Sequence, residues 1–479
     1  MGDELRSTRA DFVRRAAAAG VTLGAALSPR FVGSALASLD DVADVHHFRS
    51  RPDLSPPVLS VLQRKSGTSA GHLFLSPSSG PGRRGPLIAD DHGHVIWFHD
   101  TRPVVAMNFR AGIYRGKPAL TWWEGRTEHG LGDGTHIVMD QHYREVLRVP
   151  AGRGRPSDLH EFVLTDRGTA LVTAWERVPM NLSSYGGLSN GEVVGGIVQE
   201  LELPSGRVLF EWRSLDHVAL DESHQGITDR GPWDYFHVNS VELDHDGNYL
   251  VSARNTWAVY KVHAGTGEVM WRVGGKKSDF TMGPGTVFAW QHDARRHGGS
   301  NYLLSLFDDG ASPQVQPWSK ALVLELDLKR MHASVHRSFV HHPPVLAHAL
   351  GSTQVLPDGN VFVGWGTSPY MTEYDRKGEV VFDAKLPKGG QNYRALRLPW
   401  KGLPAHPPAI VVKRHVVYAS WNGATELASW RVEAAGDTTR HPRTGFETEL
   451  PVPAGAKVVK VTPIDRHGAP LHRSKTVAV

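Results

Sequence analysis

One pattern recurs along this chain: a head residue, a short strand, a polar glycine-containing turn, then an apolar strand. Repetition at this scale restricts the fold more than any single motif does. Three copies begin with histidine: His160-Glu-Phe-Val-Leu-Thr-Asp-Arg-Gly, His237-Val-Asn-Ser-Val-Glu-Leu-Asp-His-Asp-Gly and His292-Asp-Ala-Arg-Arg-His-Gly-Gly. A fourth, Gly351-Ser-Thr-Gln-Val-Leu-Pro-Asp-Gly, keeps the turn and strand without the histidine, and an earlier copy has Phe109 near the head position. A second unit follows, a glycine turn and a strand that ends in an aromatic residue. It reads Asp91-His-Gly-His-Val-Ile-Trp97, Ser205-Gly-Arg-Val-Leu-Phe210, Thr266-Gly-Glu-Val-Met-Trp271 and Lys377-Gly-Glu-Val-Val-Phe382.

Two hairpins per unit make four strands, the content of a propeller blade. Residues 46–400 hold about six such units, so the sequence predicts an all-β, six-bladed β-propeller. Stacked sandwiches are the other arrangement that these hairpins allow. Residues 401–407 read as a linker. Residues 406–479, with Trp421 and Trp430, read as a small C-terminal immunoglobulin/fibronectin-like β-sandwich. In a radial fold the heads of neighbouring blades converge on one axis, which would gather the histidines.

Composition narrows the function. The 479 residues are 40% hydrophobic with 14 Trp and 16 Phe, enough to fill a large core. A net charge of +4 from scattered basic residues argues against a nucleic-acid partner. With Cys 0 there is no disulfide, thiolate metal site or thiol nucleophile. Residues 1–37 combine Arg6, Arg9, Arg14 and Arg15, a weakly apolar run and Ala35-Leu36-Ala37. They read as a twin-arginine-like export signal, which implies a secreted or extracytoplasmic protein and the twin-arginine export machinery as a partner. No later stretch is apolar enough for a membrane helix.

The candidate site is His160, His237, Arg254 and His292, with Asn239 as a substrate-binding residue. Imidazole can serve as nucleophile, general base or metal ligand. Arg254 closes the hairpin that His237 opens, and a guanidinium beside imidazoles suits a tetrahedral oxyanion. Asn239, two residues past His237, would share its side of the strand and donate to such an anion or orient the ring. Three imidazoles can also hold zinc, but Arg254 would repel a cation, so neither a metal nor a cofactor is expected. His129, His136, His341 and His342 read as solvated loop residues.

Trp233-Asp-Tyr-Phe-His-Val-Asn-Ser-Val, Ser252-Ala-Arg254 and Phe288-Ala-Trp-Gln-His-Asp-Ala resemble the arylsulfotransferase family, specifically an arylsulfotransferase-like branch of actinomycetes and fungi. Trp271-Arg-Val-Gly-Gly-Lys-Lys-Ser-Asp-Phe280 and Ala419-Ser-Trp-Asn-Gly-Ala-Thr-Glu426 look similar to that branch, and the likeness covers roughly residues 46–450. The resemblance implies a six-bladed propeller and sulfuryl transfer from an aryl sulfate to a phenol, without a nucleotide sulfate donor. It further implies a ping-pong path in which His292 becomes N-sulfated, with His237, Arg254 and His160 matching the family's other site residues. Two other classes fit the residues alone: a metal-dependent propeller hydrolase or lactonase, and a non-catalytic extracellular binding propeller.

Overall fold

The computed structural model describes residues 44–228, 231–298 and 302–479. The export signal expected at 1–37 lies outside the described residues. Residues 43–479 form one compact unit. Strands dominate it, and among the described residues the one α-helix is the single turn Ser214–His217. No helix among them is long and apolar enough to cross a membrane.

Hairpins form where the turn chemistry demands them. Gly247 and Gly359 follow aspartates and carry φ of +83° and +89°, a left-handed conformation that costs glycine nothing. On either side, runs such as Tyr249–Ala253 and Val361–Gly364 are buried along their whole length. They pair antiparallel with their sequence neighbours, as in Val238–Leu243 with Tyr249–Ala253 and then Ala258–Val262.

The all-β expectation holds, but the six-bladed propeller does not. Hydrogen bonding divides the described strands into several open antiparallel sheets of unequal size, and none closes on itself. One sheet has nine strands, because the Ser157↔Gly134 pair joins the hairpins of Val105–Asp140 to those of Ser157–Arg213. Two sheets have five strands. One is completed by Ser60–Arg64 pairing with Val380–Lys385, and the other by Thr281–Met282 lying parallel to His332–Phe339. The repeat dictates local hairpins, whose partners are a few residues away. It says nothing about which edges meet, and edge pairing sets the size of each sheet.

The C-terminal residues, where the sequence predicts an immunoglobulin/fibronectin-like sandwich, build two further open sheets. Ala409–Lys413, Val416–Ser420 and Glu447–Pro451 form one. Asp437–Pro442, Ser429–Ala434, Val458–Ile464 and Lys475–Ala478 form the other. They share a core of Ile410, Val417, Trp430, Leu450, Val459 and Val461. Specific bonds tie them to the preceding sheets. Asn422 accepts from the Phe98 amide and donates to its carbonyl, each at 3.0 Å, and Tyr143 Oη donates to the Gly423 carbonyl at 2.8 Å.

One core residue makes a stability prediction. His136, expected to be solvated, is fully buried and stacks on Phe162 with ring centroids 4.6 Å apart. Neither ring nitrogen has a partner among the described residues, and burial lowers its pKa to about 3. The folded state therefore holds it neutral, while the unfolded chain protonates near 6.5. The stability this contributes is complete above pH 6.5 and is lost as pH falls toward 3. Replacing His136 with Phe is expected to change stability differently at the two pH values. By pH 4 the variant should have gained about 3 kcal/mol on the parent relative to pH 7, as read from urea unfolding. An unchanged difference would show that His136 does not carry this pH dependence.

Candidate functional site

The heads of the histidine-bearing strands lie where ladder register breaks. Bulges fall between Met107 and Arg110, Ser157 and Phe162, Val238 and Ser240, and His292 and Arg295. A bulge re-aims side chains at a strand end. Two of these stretches contain a non-glycine residue at left-handed φ, Asn108 at +56° and Asp293 at +56°, and His237, at +53°, immediately precedes a third. Such local strain is usual where surrounding structure holds a functional geometry.

Four of the five candidate site residues line one cavity of about 490 Å³: His160, His237, Arg254 and His292. The His160 and His237 rings meet edge to face at 4.7 Å. Tyr393 lies edge-on to His160 at 5.7 Å and to His292 at 6.4 Å. Asn239 does not line the cavity. It is buried beneath, and its amide donates to the Gln291 carbonyl at 2.6 Å, tying the His237 strand to the His292 strand. The amide expected to donate to an anion or orient the His237 ring bonds here to the neighbouring strand.

Each imidazole is held at Nδ1 by a carboxylate. His160 meets Asp158 at 2.5 Å, His237 meets Asp234 at 2.5 Å and His292 meets Asp309 at 2.7 Å. No Nε2 of the three has a hydrogen-bond partner among the described residues. Fixing one ring nitrogen sets the orientation and the tautomer of the other. The Asp158 and His160 side chains share a face because they are two apart on a strand. Asp158 also accepts from the Gly132 amide at 2.8 Å. Burial pushes the Asp158 carboxyl up, but His160 and that amide win and hold it below the ordinary value.

The electrostatics favour neutral rings at depth. Burial, then the Arg254 charge, holds His292 well below the usual imidazole range. Burial also lowers His160, against the pull of Asp158. The Asp309 carboxyl is raised well above the ordinary range by burial, with Arg254 opposing. His237 is the most accessible of the three, its side chain 11% exposed against 3% and 2% for His160 and His292. Arg254 stacks on Trp290, Cζ lying 4.8 Å from the ring centroid, and donates to Asn255 Oδ1 at 2.9 Å.

The cavity walls mix apolar and polar groups. Met107, Leu131, Leu159, Trp233 and Leu350 contribute apolar surface, while Glu128, His129 and Arg177 bring polar groups. Gly130 lies so close that a Cβ there would come within 3.3 Å of His237 Cε1. His129, read from the sequence as solvated, is exposed and also lines the cavity, and His342 is exposed. His341 is buried instead, its Nδ1 2.7 Å from the Pro343 carbonyl oxygen. Among the described residues, no group of three or more His, Asp or Glu side chains is placed to hold a metal ion.

The family model for arylsulfotransferase (ASST) matches residues 111–386, more than half of the chain. The chain belongs to the arylsulfotransferase family. The match is narrower than the 46–450 span of the sequence likeness, yet it includes all four cavity-lining candidates. No curated protein matches this arylsulfotransferase-family chain. Solved structures similar to it include a protein of unknown function from Bacteroides caccae, 14% identical, covering 68% of this chain and 98% of that one, with a TM-score of 0.43. The extracellular domain of a putative hybrid two-component system from B. thetaiotaomicron is 9% identical, covering 87% and 55%, with a TM-score of 0.37. Virginiamycin B lyase from Staphylococcus aureus is 9% identical, covering 66% and 83%, with a TM-score of 0.27.

Proposed function

We propose that this family member transfers a sulfuryl group from an aryl sulfate to a phenol, through a sulfohistidine at His292 and without a nucleotide donor. One observation carries the reading: three imidazoles, each anchored at Nδ1 by its own aspartate, share a cavity with the Arg254 guanidinium.

In the first displacement the Nε2 lone pair of neutral His292 attacks sulfur, and the bond from sulfur to the aryl oxygen breaks. The transferring group spreads negative charge over its equatorial oxygens, so positioning and fixed cationic donors supply most of the acceleration. Arg254 is the donor available for that charge. Phenols ionise near pH ~10, so the departing oxygen needs a proton. His237, the more accessible partner, is the better suited of His237 and His160 to give it. In the second displacement the same imidazole takes the proton of the incoming phenol, whose oxygen attacks sulfur as the S–N bond breaks.

The test is incubation with a nitrophenyl sulfate and a phenol, followed by mass spectrometry for one SO3 group on a His292 peptide. Transfer with a labelled peptide is the expected result; neither transfer nor adduct across a panel of donors and acceptors would overturn the reading. Arg254→Gln is expected to lower kcat by about 100-fold, equivalent to about 3 kcal/mol of transition-state stabilisation. Steady-state kinetics check this, and a change confined to KM would assign Arg254 to ground-state binding instead.

A further inference from the structure

The strands that begin at the histidine cavity run on to a second one. This second cavity, of about 170 Å³, is lined by Arg110, Glu242, Asp293, Arg295 and Arg394. Arg110 lies three residues beyond Met107, Glu242 five beyond His237 and Arg295 three beyond His292, so the same chain segments serve both. Between the cavities lies Glu161, buried and bonded to Arg394 at 2.7 Å and to Arg295. Its carboxyl is pulled down to about 2 despite burial, chiefly by Arg295, Arg394 and Arg110.

The donors around this cavity are unequally used. Arg394 bonds through its terminal nitrogens to Glu161, Asn108 and the Asn239 carbonyl, while its Nε sits 3.1 Å from Asp293 without a hydrogen bond. Arg295 is bonded to Asp293 at 2.8 Å and to Glu161. Arg110 is different: its nearest carboxylate contact is 3.7 Å from Glu161, and its buried Nη1 has no hydrogen-bond partner among the described residues. Three guanidiniums thus face two carboxylates, Glu161 and Asp293, and a third acid, Glu242. The Arg110 side chain is 26% exposed, but a guanidinium donor buried without a partner is costly unless something compensates it.

We propose that this second cavity is a binding site for one small inorganic anion, chloride to sulfate in size, held by Arg110. No residue lines both cavities, so the site is distinct from the one described above. Glu242 makes the binding pH-dependent. Burial raises its carboxyl to about 7, with Asp293 and Glu161 adding to the rise and Arg295 and the Arg296 amide opposing it. Arg110, Arg394 and His297 complete the charged or titratable groups around the cavity. His297 is lowered to about 4 and stays neutral over this range. Protonated Glu242 leaves the cavity one positive charge in excess, so an anion binds more tightly below pH 7 than above it.

The experiment is calorimetric titration of the full chain with chloride at pH 6 and pH 8, ionic strength being held with gluconate. Expected is one chloride per chain, bound more tightly at pH 6. Arg110→Gln is expected to weaken it by about 10- to 100-fold, the value of a charge-assisted hydrogen bond. Arg110 makes no side-chain hydrogen bond, but its charge helps hold the Glu161 carboxyl down, so the variant should unfold at a somewhat lower urea concentration than the parent in gluconate, in a transition that stays cooperative. Arg254→Gln, which alters only the histidine cavity, should leave chloride binding intact. The proposal is overturned if the parent takes up no chloride, if Arg110→Gln binds it unchanged, or if binding disappears in Arg254→Gln instead. Glu242→Gln supplies a second check, since it should bind equally at both pH values. A pH dependence that survives in it would remove Glu242 from the site.

Discussion

Replacing His292 with alanine is expected to reduce sulfuryl transfer by about 10⁴-fold or more, the scale seen when a catalytic nucleophile is removed from an otherwise intact site. The substitution takes away the only atom proposed to bond to sulfur, while Arg254, His237 and His160 remain to bind and polarise the donor. Donor affinity should therefore change far less than turnover. His292 lines the cavity at only 1% exposure, so a folding control matters. Unfolding in urea should stay cooperative, and a nitrophenyl sulfate should still protect against it. A peptide covering residue 292 should then carry no SO3 group. If the variant turns over at the parent's rate, sulfur is attacked by another group, and the two remaining imidazoles become the candidates.

Asp309→Asn is expected to cost about 10³- to 10⁴-fold in the sulfation step, by the logic of an aspartate that fixes the tautomer of a catalytic imidazole. His292 attacks through Nε2 only when its proton is on Nδ1, where Asp309 accepts it at 2.7 Å. As the S–N bond forms the ring becomes cationic. A carboxylate whose basicity burial has raised is well placed to take the Nδ1 proton and keep the pair neutral. An amide there can donate to Nδ1 and force the proton onto Nε2. Even with its oxygen turned inward, it carries no charge to offset the cation. The reactive form needs Asp309 ionised, so the rate of sulfation should rise with pH through a value above the ordinary carboxylate range, and the variant should lose that limb. A purely structural role would lower activity without changing the pH profile. Nitrogen chemical shifts of the His292 ring report the tautomer directly.

Much of this site is legible from spacing. The His160, His237 and His292 heads come from the repeat. Asp158-x-His160 and Asp234-x-x-His237 place a carboxylate within reach of each ring, a signal the sequence carries and that the search for heads passed over. Asp309 could not be found this way. It lies 17 residues from His292 and meets it only because His292 pairs with Phe307 across the hairpin. Tyr393 and Arg394 are further still, from a segment beyond the family match, yet they contact the His160, His237 and His292 strands at once. Asn239 is a different case. Alternation predicts that it shares the His237 side of the strand, but the register breaks between Val238 and Ser240, and the neighbouring strand's Gln291 carbonyl accepts from its amide.

The sequence by itself determined the hairpins, because a turn and its two flanking strands are chosen by neighbouring residues. It also determined the family, through motifs whose residues are close in the chain. Only the tertiary structure decided how the strand edges join into open sheets in place of equal blades, and which distant carboxylate faces which imidazole. The reason is physical: a hydrogen bond between edges, or a buried ion pair such as Arg394 with Glu161, is strong only where both groups leave water together. That depends on packing from the whole chain.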